Sequence, residues 1–451
     1  MNILILNGSP KGADSITLHT ALYLEKLHPE HKFEILHVGQ RIKALEKDFS
    51  PAIEALHAAE LVIFAYPVYT FIAPCQLHRF IELMKEHKVD VSGKYATQIT
   101  TSKHFYDVTA HRYIQDNAQE MGMRTLRGLS ADMDDLTTKD GQRQARAFFD
   151  QVMEHMKNGF CEPNMLLAPQ TEFVQATVPT ISAEKAEGDV VIICDLDEND
   201  TALKAMIDRF CAVLPLKTRL FNLRTQRIDG GCLGCFRCAG TGKCIYKDGF
   251  DKTLRTSIQT AQAMIYAYTI RDHSQGARFK MFNDRQFCNG HRTVTMGMPV
   301  GYLICGSYAT EYNLQTIVEG RTQVGGNVLA GIATNERDPD GQIDALAKNL
   351  VYVLKNDCRQ PQNFLGVGGM KIFRDLIWQM QGLMRADHKF FKSHGQYDFP
   401  QKKRGRMLAM YLVGFMMNNE ALRKKAGGKM SEGMVMPYKK VLAQLDEQKG
   451  K

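Results

Sequence analysis

Asn2-Ile3-Leu4-Ile5-Leu6-Asn7-Gly8-Ser9-Pro10-Lys11-Gly12-Ala13-Asp14-Ser15-Ile16-Thr17 is the stretch that decides the fold. Residues 2–7 form an apolar run that reads as a buried strand. It feeds a Gly-rich polar loop, and Leu18 to Leu27 continues as a helix. Strand, loop and helix start together make a phosphate cradle. Backbone N–H groups and the positive end of the helix face the anion, and hydroxyls complete the shell. The loop lacks both the Gly-Lys-Ser/Thr of a Walker loop and the G-x-G-x-x-G of a dinucleotide fingerprint. A plain turn with an N-cap at Asp14 or Ser15 has the same outline.

Outward from this stretch the strand–helix alternation continues. Strands are predicted at Phe33–Val38, at Ala59–Ala65 (ending in Tyr66-Pro67-Val68-Tyr69) and at Lys94–Thr100 (ending in Thr101-Ser102-Lys103-His104-Phe105-Tyr106). A helix runs from Pro74 to Met84, a fifth strand covers Met123–Leu129, and a closing helix covers Gly141–Met156. Such alternation gives a doubly wound parallel sheet whose cofactors sit beyond the C-terminal strand ends. Residues 160–186, with Pro163, Pro169 and Pro179, read as a linker. The rhythm then recurs, with strands at Asp189–Cys194, Thr218–Leu223, Ala263–Ile270, Val300–Cys305 and Asn327–Thr334 and helices at Thr201–Leu214 and Asp344–Leu354. A chain of 451 residues is long enough for several domains. The expected organisation is an α/β chain of two tandem doubly wound parallel-sheet domains, 1–158 and 188–357, joined by a linker over 159–187. A basic, Met-rich helical extension follows over 358–451.

The second half carries Gly231-Cys232-Leu233-Gly234-Cys235-Phe236-Arg237-Cys238, closed by Cys244. Four of the chain's 11 cysteines fall here, in a C-x2-C-x2-C-x5-C pattern, with glycines that let the backbone wrap. Three successive ligands at this spacing favour a [4Fe-4S] cluster over zinc, whose knuckles are separated by a longer spacer. A thiol cluster without metal is the remaining alternative. Where Gly8 to Thr17 would correspond, the second half has Asp195-Leu196-Asp197-Glu198-Asn199-Asp200, which repels a phosphate. The first half, conversely, has no cysteines at its matching loop, Arg41 to Lys47.

The loop Gly8, Ser9, Pro10, Lys11, Ser15, Thr17 resembles that of the flavodoxin-like NADPH-dependent FMN reductase family, with Lys11 where arginine is usual. Pro67, Val68, Tyr69 and Pro74 match that family's turn along the flavin ring, and Thr101 and Ser102 its third flavin-contact loop. The resemblance implies FMN held by Ser9, Lys11, Ser15, Ile16 and Thr17 at the phosphate, with Pro67, Val68, Tyr69, Thr101 and Ser102 nearer the ring. Cys232, Cys235, Cys238 and Cys244 are similar to the compact motif of single-domain iron–sulfur flavoproteins, including Gly231 before it and Asp248 after it. It covers residues 1–155 and 188–356.

Composition narrows the partners. The net charge is +8. It is concentrated in Arg359–Lys451, where 18 Lys+Arg stand against 7 Asp+Glu. No zinc-finger, RNA-binding or helix-turn-helix signature accompanies this charge, so nucleic acid is not expected. The longest apolar run, Met407 to Met417, is about half the length that crosses a bilayer. The opening run reads as a strand rather than a secretory signal, and the expected location is the cytoplasm. The expected activity is an FMN-dependent NAD(P)H oxidoreductase in which a cluster relays electrons to a small-molecule or redox-protein acceptor. A cluster-free quinone- or nitro-type reductase, an electron carrier and a redox sensor are the alternatives. No catalytic side chain is assigned; His104 and His111 are the histidines near the expected site. Homo-oligomerisation or an intrachain pseudo-dimer, with the cysteine loop of one half facing the flavin edge of the other, would unite the two sets of motifs.

Overall fold

The computed structural model describes residues 1–180, 184–426 and 429–449. Its contacts divide the chain into two units, Met1–Phe391 and Lys392–Lys451. The larger unit contains two sheets. The first is built from β1 (Asn2–Asn7), α1 (Ile16–Leu27), β2 (Lys32–Leu36), α2 (Val38–Leu45), α3 (Ser50–Ala58), β3 (Leu61–Pro67), α4 (Cys75–Glu86), β4 (Tyr95–Ser102), α5 (Asp107–Glu120), β5 (Arg124–Thr125), β6 (Leu129–Asp132) and α6 (Lys139–Lys157). Its strands are parallel in the order β2-β1-β3-β4-β5, with β6 also on β4. Two expectations shift here. The strand expected over Met123–Leu129 splits into β5 and β6, and Arg41–Lys47, expected as a loop, starts inside α2.

The second sheet comes from β7 (Ala186–Cys194), α7 (Thr201–Val213), β8 (Leu216–Asn222), α8 (Arg237–Thr241), α9 (Phe250–Thr253), β9 (Ala263–Thr269), α10 (Gly276–Arg285), β10 (Pro299–Cys305), α11 (Tyr312–Gly325), β11 (Val328–Thr334) and α12 (Pro339–Asn356). It is parallel in the order β11-β10-β9-β7-β8. Numbered within each half, both sheets read 2-1-3-4-5, the flavodoxin-like order with its switch point between the first and third strands. Each sheet is buried on both faces. Ile3, Ile5, Ile63 and Phe149 fill one side of the first, and Leu4, Leu6, Phe64 and Phe80 the other.

The two halves pack through corresponding helices. α4 and α10, each following a third strand, lie together, as do α5 and α11, each following a fourth. This is the pattern of an isologous dimer within one chain. The contact is apolar at its centre: Ile317 and Val324 of α11 join the core of the first half, beside Tyr106 and Tyr113. It is also polar and buried. Asp272 of the second half accepts hydrogen bonds from Tyr113 Oη (2.8 Å) and pairs with His78 Nδ1 (2.6 Å), all three buried.

Among the described residues between the halves there is no helix or strand, and residues 170 and 174 meet the C-terminal end of the second sheet. Gln170 N donates to Ser307 Oγ at 2.9 Å and Val174 N to Asn335 O at 2.8 Å. Beyond α12, α13 (Phe364–Gln379) packs on α11, and α14 (Arg385–Ser393) follows. Gly366–Gly369 falls inside α13, where Gly369 lies against Phe105 and Val324; it is a packing contact and not a nucleotide loop. The C-terminal unit holds α15 (Arg404–Asn418), α16 (Glu420–Ala426) and α17 (Lys429–Lys449). Among the described residues no helix is long and apolar enough to cross a membrane.

Candidate functional site

The phosphate loop is organised by its own side chains. Asn7 Nδ2 donates to Gly12 O (2.8 Å), Ser9 N to Asn7 Oδ1 (3.2 Å) and Lys11 N to Ser9 Oγ (3.3 Å). Ser15 caps α1 by accepting from Leu18 N, so Ser15 and not Asp14 is the N-cap. Thr17 and Thr101 share a hydrogen bond at 2.5 Å, which ties the first loop to the third. The helix start therefore points its free N–H groups into a shell of buried hydroxyls.

The second loop is strained. Thr70 and Phe71 both have positive φ, at 44° and 78°, a region that side chains with a Cβ rarely enter. The strain is held from the other half. Lys280 Nζ donates to Tyr69 O (2.8 Å), Thr70 Oγ1 donates to Asp284 Oδ1 (3.0 Å) and Cys75 N to Asp284 Oδ2 (2.8 Å). Lys280 and Asp284 form a buried ion pair one turn apart on α10. Neither residue stands out in the sequence, where they read as ordinary helix charges at i, i+4 spacing.

The cysteine loop closes the cavity from the opposite side. Arg285, buried, makes a bidentate pair with Asp248 (2.7 and 2.9 Å) and donates to Gly230 O (3.0 Å). Against the cost of burial, Arg285 holds the Asp248 carboxyl down to about 2. Asp248 also accepts from Asp229 N (3.0 Å), so one carboxylate clamps both ends of the loop. The loop then runs so close to the first half that two glycines are obligatory. A Cβ on Gly231 would collide with Cys75 Sγ, and one on Gly234, at φ 61°, would collide with Tyr69 Oη.

All ten residues expected at FMN and all four expected at the metal line one cavity: Ser9, Lys11, Ser15, Ile16, Thr17, Pro67, Val68, Tyr69, Thr101 and Ser102, with Cys232, Cys235, Cys238 and Cys244. The cavity encloses about 1370 Å³ counting the open solvent at its mouth. Lys11, Lys103, Arg285 and His291 line it, and among the described residues no Asp or Glu does. That balance suits an anionic ligand. His104 and His111 do not line it. His104 Nδ1 pairs with Asp107 (2.8 Å), and His111, whose Nε2 meets Thr100 Oγ1, is pushed by burial down to about 4. Sequence reasoning missed Phe287 and His291, from the segment after α10, and Ile372, Phe373 and Leu376 of α13. Only the amphipathic pattern of α13 offered a signal.

Among the described residues no group of three or more His, Cys, Asp or Glu side chains stands close enough to hold one metal ion. Gly234 N donates to Cys232 Sγ at 3.5 Å. Without metal, burial pushes the Cys232 thiol up to about 12, and Cys238 Sγ donates to Phe287 O (2.7 Å). All eleven cysteines are unbridged.

Residues 1–134 match the family model for NADPH-dependent FMN reductase. No curated protein matches the sequence. Solved structures similar to part of the chain include an NADPH-quinone reductase from P. pentosaceus (16% identity, TM-score 0.27, covering 34% of this chain and 97% of that one). The NAD(P)H:acceptor flavoenzyme FerB of Paracoccus denitrificans is another (20% identity, TM-score 0.27, 34% and 98%). A third is an FMN-dependent NADH-azoreductase from Bacillus anthracis (12% identity, TM-score 0.26, 35% and 99%). Residues 1–134 carry the match to the NADPH-dependent FMN reductase family, which marks the chain as a flavin-dependent NAD(P)H oxidoreductase with a second α/β half and a helical C-terminal region after the matched part.

Proposed function

We propose that the chain binds one FMN through the first half and one [4Fe-4S] cluster through Cys232, Cys235, Cys238 and Cys244, side by side in the shared cavity. Electrons from NAD(P)H would leave to a small-molecule or protein acceptor. The observation that carries this reading is the common cavity, with Gly234 pressed against Tyr69. Together the two groups supply conversion between two-electron and one-electron chemistry.

The chain's own residues do the rest. Ser9, Ser15, Thr17 and the α1 N-terminus hold the phosphate, and Lys11 adds charge as a single ammonium rather than a bidentate fork. Tyr69, fixed through its carbonyl by Lys280, borders the cavity beside Gly234 and orients the ring. Phe287, Phe373 and Leu376 exclude water from the same space.

The test is the absorbance spectrum, flavin content and iron content of anaerobically purified protein. One FMN and about four irons per chain are expected. One FMN with no iron, and full turnover with NAD(P)H, would instead establish the cluster-free reductase. Two FMN per chain would overturn the assignment of flavin to the first half alone.

A further inference from the structure

The C-terminal unit carries a feature that a redox core does not require. α15 begins with Arg404 and Arg406 and then runs from Met407 to Met417 without a charged residue. Leu408, Tyr411, Leu412 and Phe415 fall at i, i+3, i+4 and i+7, on one face of the helix. They are exposed by 73%, 73%, 64% and 70%. Met407 and Met410 beside them are more than half exposed. Apolar side chains bared along one helix face mark an interaction surface.

We propose that α15 lies in the plane of an anionic lipid surface, with this face among the acyl chains. Its 15 residues reach about 22 Å, short of the ~30 Å hydrocarbon core, so the helix rests at the interface and does not cross. The charge around it selects the kind of surface. Residues 392–451 hold 13 Lys+Arg against 5 Asp+Glu. Lys402, Lys403, Arg404 and Arg406 precede the apolar run, and Arg423, Lys424 and Lys425 follow it. Cations at both ends of an apolar helix reach up to anionic headgroups while the middle sinks. The same charge argues against a second copy of the chain as the occupant, since face-to-face pairing would bring two strongly positive units together. The apolar character of the face argues against nucleic acid as its ligand, because apart from the Tyr411 hydroxyl these side chains offer nothing to a phosphate or a base edge. This inference is independent of the redox reading.

The experiment is co-sedimentation of the full chain with vesicles of phosphatidylcholine alone and of phosphatidylcholine mixed with phosphatidylglycerol, at low and high salt. Partitioning at least about tenfold stronger onto the anionic vesicles, and weakened by salt, is expected. The double variant Leu408→Glu/Phe415→Glu should abolish it with no change in thermal unfolding of the chain, since both side chains are exposed. A second variant, Lys402, Lys403, Arg404 and Arg406 all to Gln, should lose only the preference for anionic lipid. Equal partitioning onto neutral vesicles, no partitioning, or full retention by the Glu variant would overturn the proposal. So would a lipid-free dimer that the Glu variant dissolves, which would assign the face to a second copy.

Discussion

The two α/β halves share one topology and have opposite strand ends. In the first, the crevice between β1 and β3 is open, walled by hydroxyls and topped by the α1 N-terminus. In the second, the same place is filled by charge. Arg224 reaches Asp195 and Asp197 at 2.8 and 2.7 Å, and Arg271 reaches Asp200 at 3.0 Å. The connecting segment also lies across the ends of β10 and β11. One half has kept a phosphate cradle and the other has closed it with ion pairs and backbone. The closed half contributes instead the cysteine loop and the α10 pair that holds the other's strained turn. Two halves of like topology in one chain allow this, because each needs to supply only part of a site. In an identical-subunit dimer every change would strike both sites at once.

The largest test of that division is Asp284→Ala. It strands a buried ammonium at Lys280 and releases Thr70 and Cys75 N, so a loss of about 3–5 kcal/mol is expected in urea unfolding, together with weaker flavin retention. The apolar pair Lys280→Met/Asp284→Leu should recover most of the stability and little of the flavin retention, since Tyr69 O and the Thr70 turn stay unheld. If both recover together, the second half only packs against the first and does not position its loop.

Gly234→Ala comes next. The added methyl meets Tyr69 Oη and must be accommodated at positive φ, so destabilisation of roughly 1–3 kcal/mol is expected, with flavin fluorescence showing looser binding. Gly242→Ala is the control. It has positive φ too, but nothing lies within 4 Å of its Cβ, so it should cost only about 1 kcal/mol and leave the flavin alone. Equal effects from both would mean that the cysteine loop does not bear on Tyr69.

The smallest effect concerns pH. His273 pairs with Glu120 of the first half (3.2 Å) and with Glu311 (2.9 Å). Burial works to lower its pKa, but the two carboxylates outweigh it and raise the value to about 9. Glu120 is held down to about 2, first by His273 and then by Lys85. A raised histidine stabilises fully below its ordinary 6.5 and loses that contribution as pH climbs through 9, while Glu120 stays ionised throughout. On the order of 1–2 kcal/mol should disappear between pH 6.5 and 9, allowing for screening at half-exposed Glu120. Thermal unfolding across that window reads it, and His273→Gln should flatten the slope.

The alternation of apolar runs and helical segments was enough to read both sheets, because buried parallel strands cannot hide their hydrophobicity. The Gly8–Thr17 loop and the four cysteines stood out in the sequence because each gathers particular residue types at short spacing, and the structure places both sets on one cavity. Split β5 and β6 and the helical α2 escaped, since short segments carry too little periodicity. His291, Phe287, Lys280 and Asp284 escaped because nothing local distinguishes a cavity wall or a buried clamp from a surface helix. By itself the sequence determined the two sheets, the cradle and the cysteine set, all of which depend on neighbours within a few residues. That the cradle and the cysteines face one another, and that α10 of one half secures the turn of the other, only the tertiary structure decided. Those contacts join residues some 160 to 220 positions apart, through the packing of α4 on α10 and α5 on α11, which no local pattern encodes.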